Sequence, residues 1–397
     1  MKISMVIPSY WMRRREEGYK KGDRIYDHPT PINEDGTLLR AIESIKKLND
    51  KNFELIIIAA STADEINEKV EKKVRNMLKD VKLEMNINLF SHSHLKELQA
   101  MLPDEYNYIP SLYGYSNIRN LCILLPHIKG SDVSILIDDD EVFENEYFIE
   151  RIKSSLTMKI EGREIYGLAG YYLQDDGNYF LKETNEFWQV YWNKSVVMNK
   201  AFKEIISREP EIKKTYFVFG GNMIIRKELF TKIAFDPFIT RGEDIDYLIN
   251  AMMQDFDFYL DNKLNIKHLP PPKPHPLWKK LREDIIRFVY EREKILHQKD
   301  EFIKRRVEIK ELKPYPGYFL DNDLEEKIIK TSELLSMKYV LDNKYEDARE
   351  SLTNIEIMKE VKTKGKDNFM KFIEFQNKWS KLMDFIEDNR DKYKDIF

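Results

Sequence analysis

Four acids stand in a row, Asp138-Asp139-Asp140-Glu141, at the end of the apolar run Val133-Ser134-Ile135-Leu136-Ile137. Carboxylates packed this closely repel one another, so the arrangement calls for a cation. Hard oxygen ligands in Asp-X-Asp spacing suit Mg²⁺ or Mn²⁺, and such an ion keeps coordination places for substrate phosphates. In an extended segment Asp138 and Asp140 point one way and Asp139 the other, so the first and third acids can share one ion. The plain alternative is a solvated acidic loop, and the neighbouring motifs decide between the two.

Several other segments carry residue types that do chemistry. Tyr115-Ser116-Asn117-Ile118-Arg119-Asn120 opens a helix, and an arginine near a helix N-terminus favours a phosphate. In Phe219-Gly220-Gly221-Asn222-Met223 the paired glycines let backbone approach a ligand closely. Glu243 and Asp244 begin a helix, where acids complement the dipole; as a functional pair, one could accept a proton from a hydroxyl while the other binds that acceptor. Asn265-Ile266-Lys267-His268 ends an apolar segment in a candidate metal ligand, His268, with His275 as a lesser one. The stretch 11–33 holds Arg13, Arg14, Arg15, Lys20 and Lys21, and could cover a diphosphate, hold a charged acceptor or form an exposed loop.

These residues need elements to position them. The reading is strand at 3–7, helix at 37–48, strand at 53–60, helix at 63–79, strand at 83–90 and helix at 116–127, followed by the acidic strand. Such alternation argues for an α/β fold, a mostly parallel sheet with helices on both faces. An apolar run rich in Ile and Val suits a strand buried on both faces, and open α/β sheets bind ligands beyond the carboxyl ends of such strands. Beyond residue 160 shorter strands are expected, at 166–173 and 216–225, with the aromatic segment Phe187-Trp188-Gln189-Val190-Tyr191-Trp192 between them. The proline run Leu269-Pro270-Pro271-Pro272-Lys273-Pro274 interrupts helix and strand alike. Residues 278–397 then read as charged amphipathic helices, with Leu281, Ile285, Phe288 and Val289 at core spacing. The expected division is therefore 1–272 and a helical region 273–397.

Bulk properties narrow the classes. The 397 residues are 42% hydrophobic and 34% charged, with a net charge of −4, so the chain folds around a core and has no global basic field for nucleic acid. Cys122, the one cysteine, lies in an apolar stretch and reads as a buried small hydrophobe. The first apolar run is too short for a signal peptide, and no run of 18 or more apolar residues suggests a membrane span. A cytoplasmic location is the expectation, with the amphipathic tail leaving peripheral membrane contact or homo-oligomer formation open.

Taken in order, Val6-Ile7-Pro8-Ser9-Tyr10, Ser116-Asn117-Ile118-Arg119-Asn120, the Asp138-Asp139-Asp140 strand end, Gly220-Gly221-Asn222-Met223 with Arg226-Lys227-Glu228-Leu229-Phe230, and Gly242-Glu243-Asp244 resemble the nucleotide-sugar-dependent glycosyltransferases of GT-A fold, family 2 and its relatives. The resemblance covers about residues 1–270. It implies a GT-A, Rossmann-like mixed sheet, a hexosyltransferase activity, a Mn²⁺ or Mg²⁺ cofactor, a nucleoside-diphosphate sugar donor and a carbohydrate or small hydroxyl-bearing acceptor. Pro8, Ser9, Tyr10 and Arg119 would border the nucleotide, and Asp138 would face ribose or sugar, with Asp139 counted beside it. Asp140, with Asp138 and His268, would hold the ion. Gly220, Gly221 and Asn222, together with Trp188, would form the acceptor side. Asp244, with Glu243 beside it, matches the catalytic base of inverting members. One alternative is a retaining enzyme acting on a small anionic acceptor such as phosphoglycerate. A sugar-phosphate nucleotidyltransferase is disfavoured because Pro8-Ser9-Tyr10-Trp11-Met12 has no glycine-rich phosphate loop. A non-catalytic nucleotide-sugar-binding module need not keep metal ligands and base together.

Overall fold

The structure is a computed structural model that describes residues 1–17, 25–272 and 275–397. Its strands are Ile3–Met12 (β1), Glu54–Ser61 (β2), Ile87–Phe90 (β3), Val133–Leu136 (β4), Gly167–Leu173 (β5), Ile212–Thr215 (β6), Met223–Arg226 (β7) and Phe258–His268 (β8). They form one mixed sheet in the order β6-β8-β5-β7-β4-β1-β2-β3, with the short strands Thr30–Pro31 on β1 and Glu141–Val142 on β8. The block β4-β1-β2-β3 is parallel throughout, and β7 runs antiparallel between β4 and β5.

Parallel neighbours need crossovers, and the helices supply them. These are Leu38–Ser44 (α1), Asn67–Lys79 (α2), His92–Met101 (α3), Tyr115–Ile128 (α4), Phe148–Ser155 (α5), Lys194–Ile205 (α6), Glu243–Met253 (α7), Leu277–Leu296 (α8), Leu324–Leu341 (α9) and Tyr345–Tyr393 (α10). Successive residues of β2 feed opposite cores: Ile56 and Ile58 pack on one side of the sheet, Leu55 and Ile57 on the other. That two-sided burial is why the strand reads as an unbroken apolar run rather than an alternating one.

Three local expectations change. The helix α3 carries few apolar residues beyond buried Leu95 and Leu98, and is announced instead by its Ser91 cap, whose N–H donates to His94 Nδ1 at 3.1 Å. Within 216–225 only Met223–Arg226 is strand. Phe217 and Phe219 precede it and pack on Phe202 of α6, with ring centroids 5.2 Å away in each pair. The first strand runs on to Met12 rather than turning at Pro8.

The helical region shares its core with the sheet. Leu281, Ile285, Phe288 and Val289 of α8 are buried in the same cluster as Ile118 and Leu121 of α4, together with Trp379 and Leu382 of α10. The proline run at 269–272 is thus a turn in the chain and not a break in the packing. Among the described residues, no helix is long and apolar enough to cross a membrane.

Candidate functional site

The site begins where β4 stops. Leu136 is its last residue, paired with Val6, and the Ile137 N–H donates to the Val6 carbonyl at 3.1 Å. β1 continues beyond this point, and Pro8 faces the side on which its neighbour has ended. Its missing N–H therefore breaks no ladder bond there. The chain then turns, with the Glu141 N–H donating to the Asp138 carbonyl at 3.2 Å. A turn does not alternate side chains, and this corrects the expectation for Asp139: all three aspartates line one cavity. The Ser9 hydroxyl donates to Asp139 at 2.8 Å, and Tyr10 reaches the cavity wall.

The acids occupy different electrostatic states. Asp140 is 2% exposed; His28 Nε2 lies 2.8 Å and His268 Nε2 3.4 Å from its Oδ2. Burial pushes its carboxyl up, but hydrogen bonds and charge from His268 and His28 win and hold it well below the usual range. Burial, then Asp140, push Asp139 up to about 7 against the Ser9 hydrogen bond. Burial, then the Asp138 and Asp140 charges, push buried Glu141 up as well; it accepts the Asp138 N–H at 3.0 Å.

Asp138 has a different partner. Its Oδ1 lies 2.8 Å from Arg119 Nη2, while Arg119 Nε donates to Glu243 Oε1 at 3.1 Å. The Asp138 carboxylate is therefore committed to a buried guanidinium, and His28 stands with His268 at Asp140 where Asp138 was expected. Two imidazole nitrogens beside a carboxylate oxygen suit a divalent ion that accepts nitrogen ligands better than Mg²⁺, which prefers oxygen alone. Among the described residues, no group of three or more His, Cys, Asp or Glu stands preassembled around a metal position. A cation would enter where the two rings now meet Asp140.

The adjacent acids Glu243 and Asp244 divide in the same way. Burial pushes the Glu243 carboxyl up while Arg119 opposes it, and the ion pair ties it down. Asp244 faces the cavity, and its two oxygens accept the N–H groups of Gly220, at 3.1 Å, and Ile245, at 2.8 Å. Gly242, with φ of 75°, makes the left-handed turn that starts α7, a conformation glycine adopts without steric cost. The cavity is about 450 Å³, within the usual size of small-molecule sites.

No protein-family model matches this chain, and no curated protein does. Among solved structures it is similar to the mannosyltransferase PcManGT from Pyrobaculum calidifontis in complex with GDP-Man and Mn²⁺, at 10% identity, covering 92% of this chain and 86% of that one with a TM-score of 0.46. It is also similar to GalNAc-T7 with UDP, GalNAc and Mn²⁺, at 13% identity, 79% and 53% coverage and a TM-score of 0.39. A mycobacterial protein matches at 14% identity, 73% and 74% coverage and a TM-score of 0.37. Likenesses this distant carry no weight on chemistry, so the reading of the site rests on its own geometry.

Some expected residues lie elsewhere. Asn222 is fully buried, and its amide bridges the carbonyls of Tyr171, at 3.3 Å, and Leu264, at 3.2 Å. Gly221 packs its backbone on Glu141, where a Cβ would fall 2.1 Å from a carboxylate oxygen, leaving Gly220 as the member of the pair at the cavity. Trp188 is buried in the core, Pro8 is held in the sheet beside Ile58, and His275 Nε2 lies 3.3 Å from the Tyr26 carbonyl; none of the three lines the cavity. From the insert, Arg13 pairs with Glu65 and Arg15 with Glu34, whereas Lys20 and Lys21 lie outside the described residues.

Other cavity residues went unread in the sequence. Tyr26, Asp27 and His28 come from the insert, Tyr172 from β5, and Arg287 and Tyr315 from the helical region. His28 carried a usable signal, an Asp-His-Pro step inside a long loop next to the first strand. Arg287 carried none, being one charge among many on an amphipathic helix.

Proposed function

We propose that this chain is a metal-dependent glycosyltransferase that moves a sugar from a nucleoside-diphosphate sugar to an acceptor hydroxyl, with inversion. The observation that carries this is one crevice with Asp140, clasped by His28 and His268, and the cavity-facing carboxylate of Asp244 both in its wall. Its place beyond the carboxyl ends of parallel strands is where α/β sheets accept nucleotides.

In this reading the acceptor O–H gives its proton to Asp244, and the acceptor oxygen bonds to the anomeric carbon of the donor sugar. The bond from that carbon to the diphosphate oxygen breaks, and its electron pair leaves with the nucleoside diphosphate. A divalent cation, when bound by Asp140, His268 and His28, supplies charge neutralisation for the diphosphate. Tyr10 and Tyr115, whose ring centroids lie 5.4 Å apart, border the nucleoside. Asp138 faces the ribose or sugar, with Arg119 fixing its carboxylate. Glu243 is a positioning residue, acting through Arg119. Gly220 keeps its N–H on Asp244 and thereby orients the base.

The test is a screen of nucleotide sugars for nucleoside diphosphate released in the presence of Mn²⁺ or Mg²⁺, with Asp140→Ala and Asp244→Asn as controls. Release with one donor, lost in both variants, is expected. Full turnover in both variants overturns the mechanism, and proton NMR of the new anomeric centre reads the stereochemistry.

A further inference from the structure

One part of the cavity wall comes from beyond residue 272. The helix α8 passes so close to the turn before α7 that a Cβ on Gly242 would fall 2.4 Å from the Arg287 guanidinium. The Arg287 side chain is 6% exposed and lines the cavity. Its Nε donates to Glu291 at 2.8 Å and its Nη1 to the Tyr315 hydroxyl at 3.2 Å, while Nη2, also buried, has no partner among the described residues. A buried charged donor left without an acceptor is costly, and this one belongs to a side chain in the cavity wall.

Two of the other fixed cations of the wall stand between two carboxylates each. Arg119 is held between Asp138 and Glu243, Arg241 between Asp27 and Glu283, and Lys194 by Asp284. Arg119 also keeps a buried Nη1 without a partner, but two carboxylates flank its charge. Among the described residues Arg287 pairs with one acid, Glu291, and a neighbouring tyrosine sets the plane of its fork. Gly242, against which the Arg287 guanidinium packs, lies two residues before Asp244 at the start of α7, so this fork stands on the side of the cavity where the acceptor hydroxyl has to be.

We propose that Arg287, oriented by Tyr315, binds a compact oxyanion, a carboxylate or phosphate, carried by the acceptor. The acceptor is then an anionic hydroxy compound, and the helical region is its selectivity element. This rests on the glycosyltransferase reading of the same cavity. A planar guanidinium fork suits either oxyanion by a charge-assisted, bidentate contact, whereas a neutral sugar hydroxyl could accept from Nη2 but would bring neither the opposite charge nor the second oxygen of the fork.

The test is calorimetric titration of inorganic phosphate into the full chain, with UDP or GDP and Mn²⁺ already bound. Phosphate is expected to bind alongside the nucleotide, and Arg287→Gln is expected to weaken phosphate roughly 10- to 100-fold while leaving nucleotide affinity unchanged. In turnover assays glycerate or glycerol phosphate should outcompete glycerol as acceptor, and Arg287→Gln should raise KM for the anionic acceptor only. No phosphate binding to the natural chain, undiminished binding in Arg287→Gln, or displacement of phosphate by nucleotide would each overturn the proposal, the last by placing Arg287 on the donor side. Should Arg287→Gln fail to fold, Arg287→Lys keeps the charge and loses the fork, and unchanged phosphate affinity there overturns it equally. A chain that binds phosphate through Arg287 but neither nucleotide would sink the glycosyltransferase reading and leave the oxyanion site standing.

Discussion

Two clusters of carboxylates among the described residues are neutralised in opposite ways. Asp236 and Asp246, both fully buried, close around Lys294, also fully buried, whose Nζ contacts both acids and lies 2.7 and 2.9 Å from the two Asp246 oxygens. The Tyr290 hydroxyl donates to Asp236 at 2.9 Å, and the Asn250 amide to Asp246 at 2.8 Å. Asp138, Asp139 and Asp140 instead line an open cavity, with a guanidinium on one acid, a hydroxyl on the next and two imidazoles on the third. The closed cluster contains its own cation and needs nothing from outside. In the open one two imidazoles meet Asp140 instead, and on the proposed reading this is where an exchangeable ion binds. An acidic cluster is thus made structural or functional by whether the fold brings it a permanent countercharge.

The sharpest way to break the comparison is to open the closed cluster. Lys294→Met strands two buried carboxylates, and the expected loss is about 3–5 kcal/mol of folding stability, read as a lowered denaturant midpoint that Mn²⁺ does not restore. Because Lys294 lies on α8 and Asp246 on α7, activity should fall with the fold rather than apart from it. The contrasting substitution is Asp244→Asn, on the same helix but facing the cavity. Here turnover should drop about 10²–10⁴-fold with nucleotide binding unmoved and the unfolding midpoint lowered far less than in Lys294→Met, by the one backbone hydrogen bond that the amide cannot accept. A stability loss as large as that of Lys294→Met would show that Asp244 belongs with the closed cluster.

Next in size is the response to metal. Mn²⁺ at about 100 times its dissociation constant should stabilise the natural chain by roughly 2.7 kcal/mol, seen as a raised thermal midpoint without any substrate. Asp140→Asn should abolish that rise, and His28→Ala and His268→Ala should each reduce it. An equal rise in all three variants would place the ion elsewhere.

The smallest effect concerns an ion pair near the surface of the helical region. The hydrogen bond from Arg292, more than any other contact, brings the Glu325 carboxyl down from its ordinary 4.5 to about 2. A depressed folded value means stability that is fully present above 4.5 and drains away as pH falls toward 2. Glu325→Gln should cost less than about 1 kcal/mol at pH 7, and the difference from the natural chain should vanish near pH 2. A difference that persists there would make the contribution steric rather than ionic.

Legibility differed by region for physical reasons. The strands β2 and β4 could be read because two-sided burial forces unbroken apolar runs, and the helix α4, buried on every side from Ile118 to Ile128, because its mostly apolar run is too long for a strand. The acids at the end of β4, Arg119 and the Glu243-Asp244 step were visible as residue types, but their partners were not. His28 and His268 are 240 positions apart in the chain and meet at one oxygen of Asp140. The helical region read correctly as packed helices, yet its part in the cavity was silent, because Arg287 differs from neighbouring charges only in what it faces.

Local pattern therefore determined the elements: an α/β alternation, an acid-terminated strand at its centre and an amphipathic helical tail. Tertiary structure alone decided which way Asp139 points, that Glu243 is spent on Arg119 while Asp244 faces the cavity, and that α8 reaches the site. The reason lies in range. Backbone periodicity is set by residues within a turn or two, whereas the state of a buried charge is set by whichever opposite charge the fold brings within about 4 Å, from any distance along the chain.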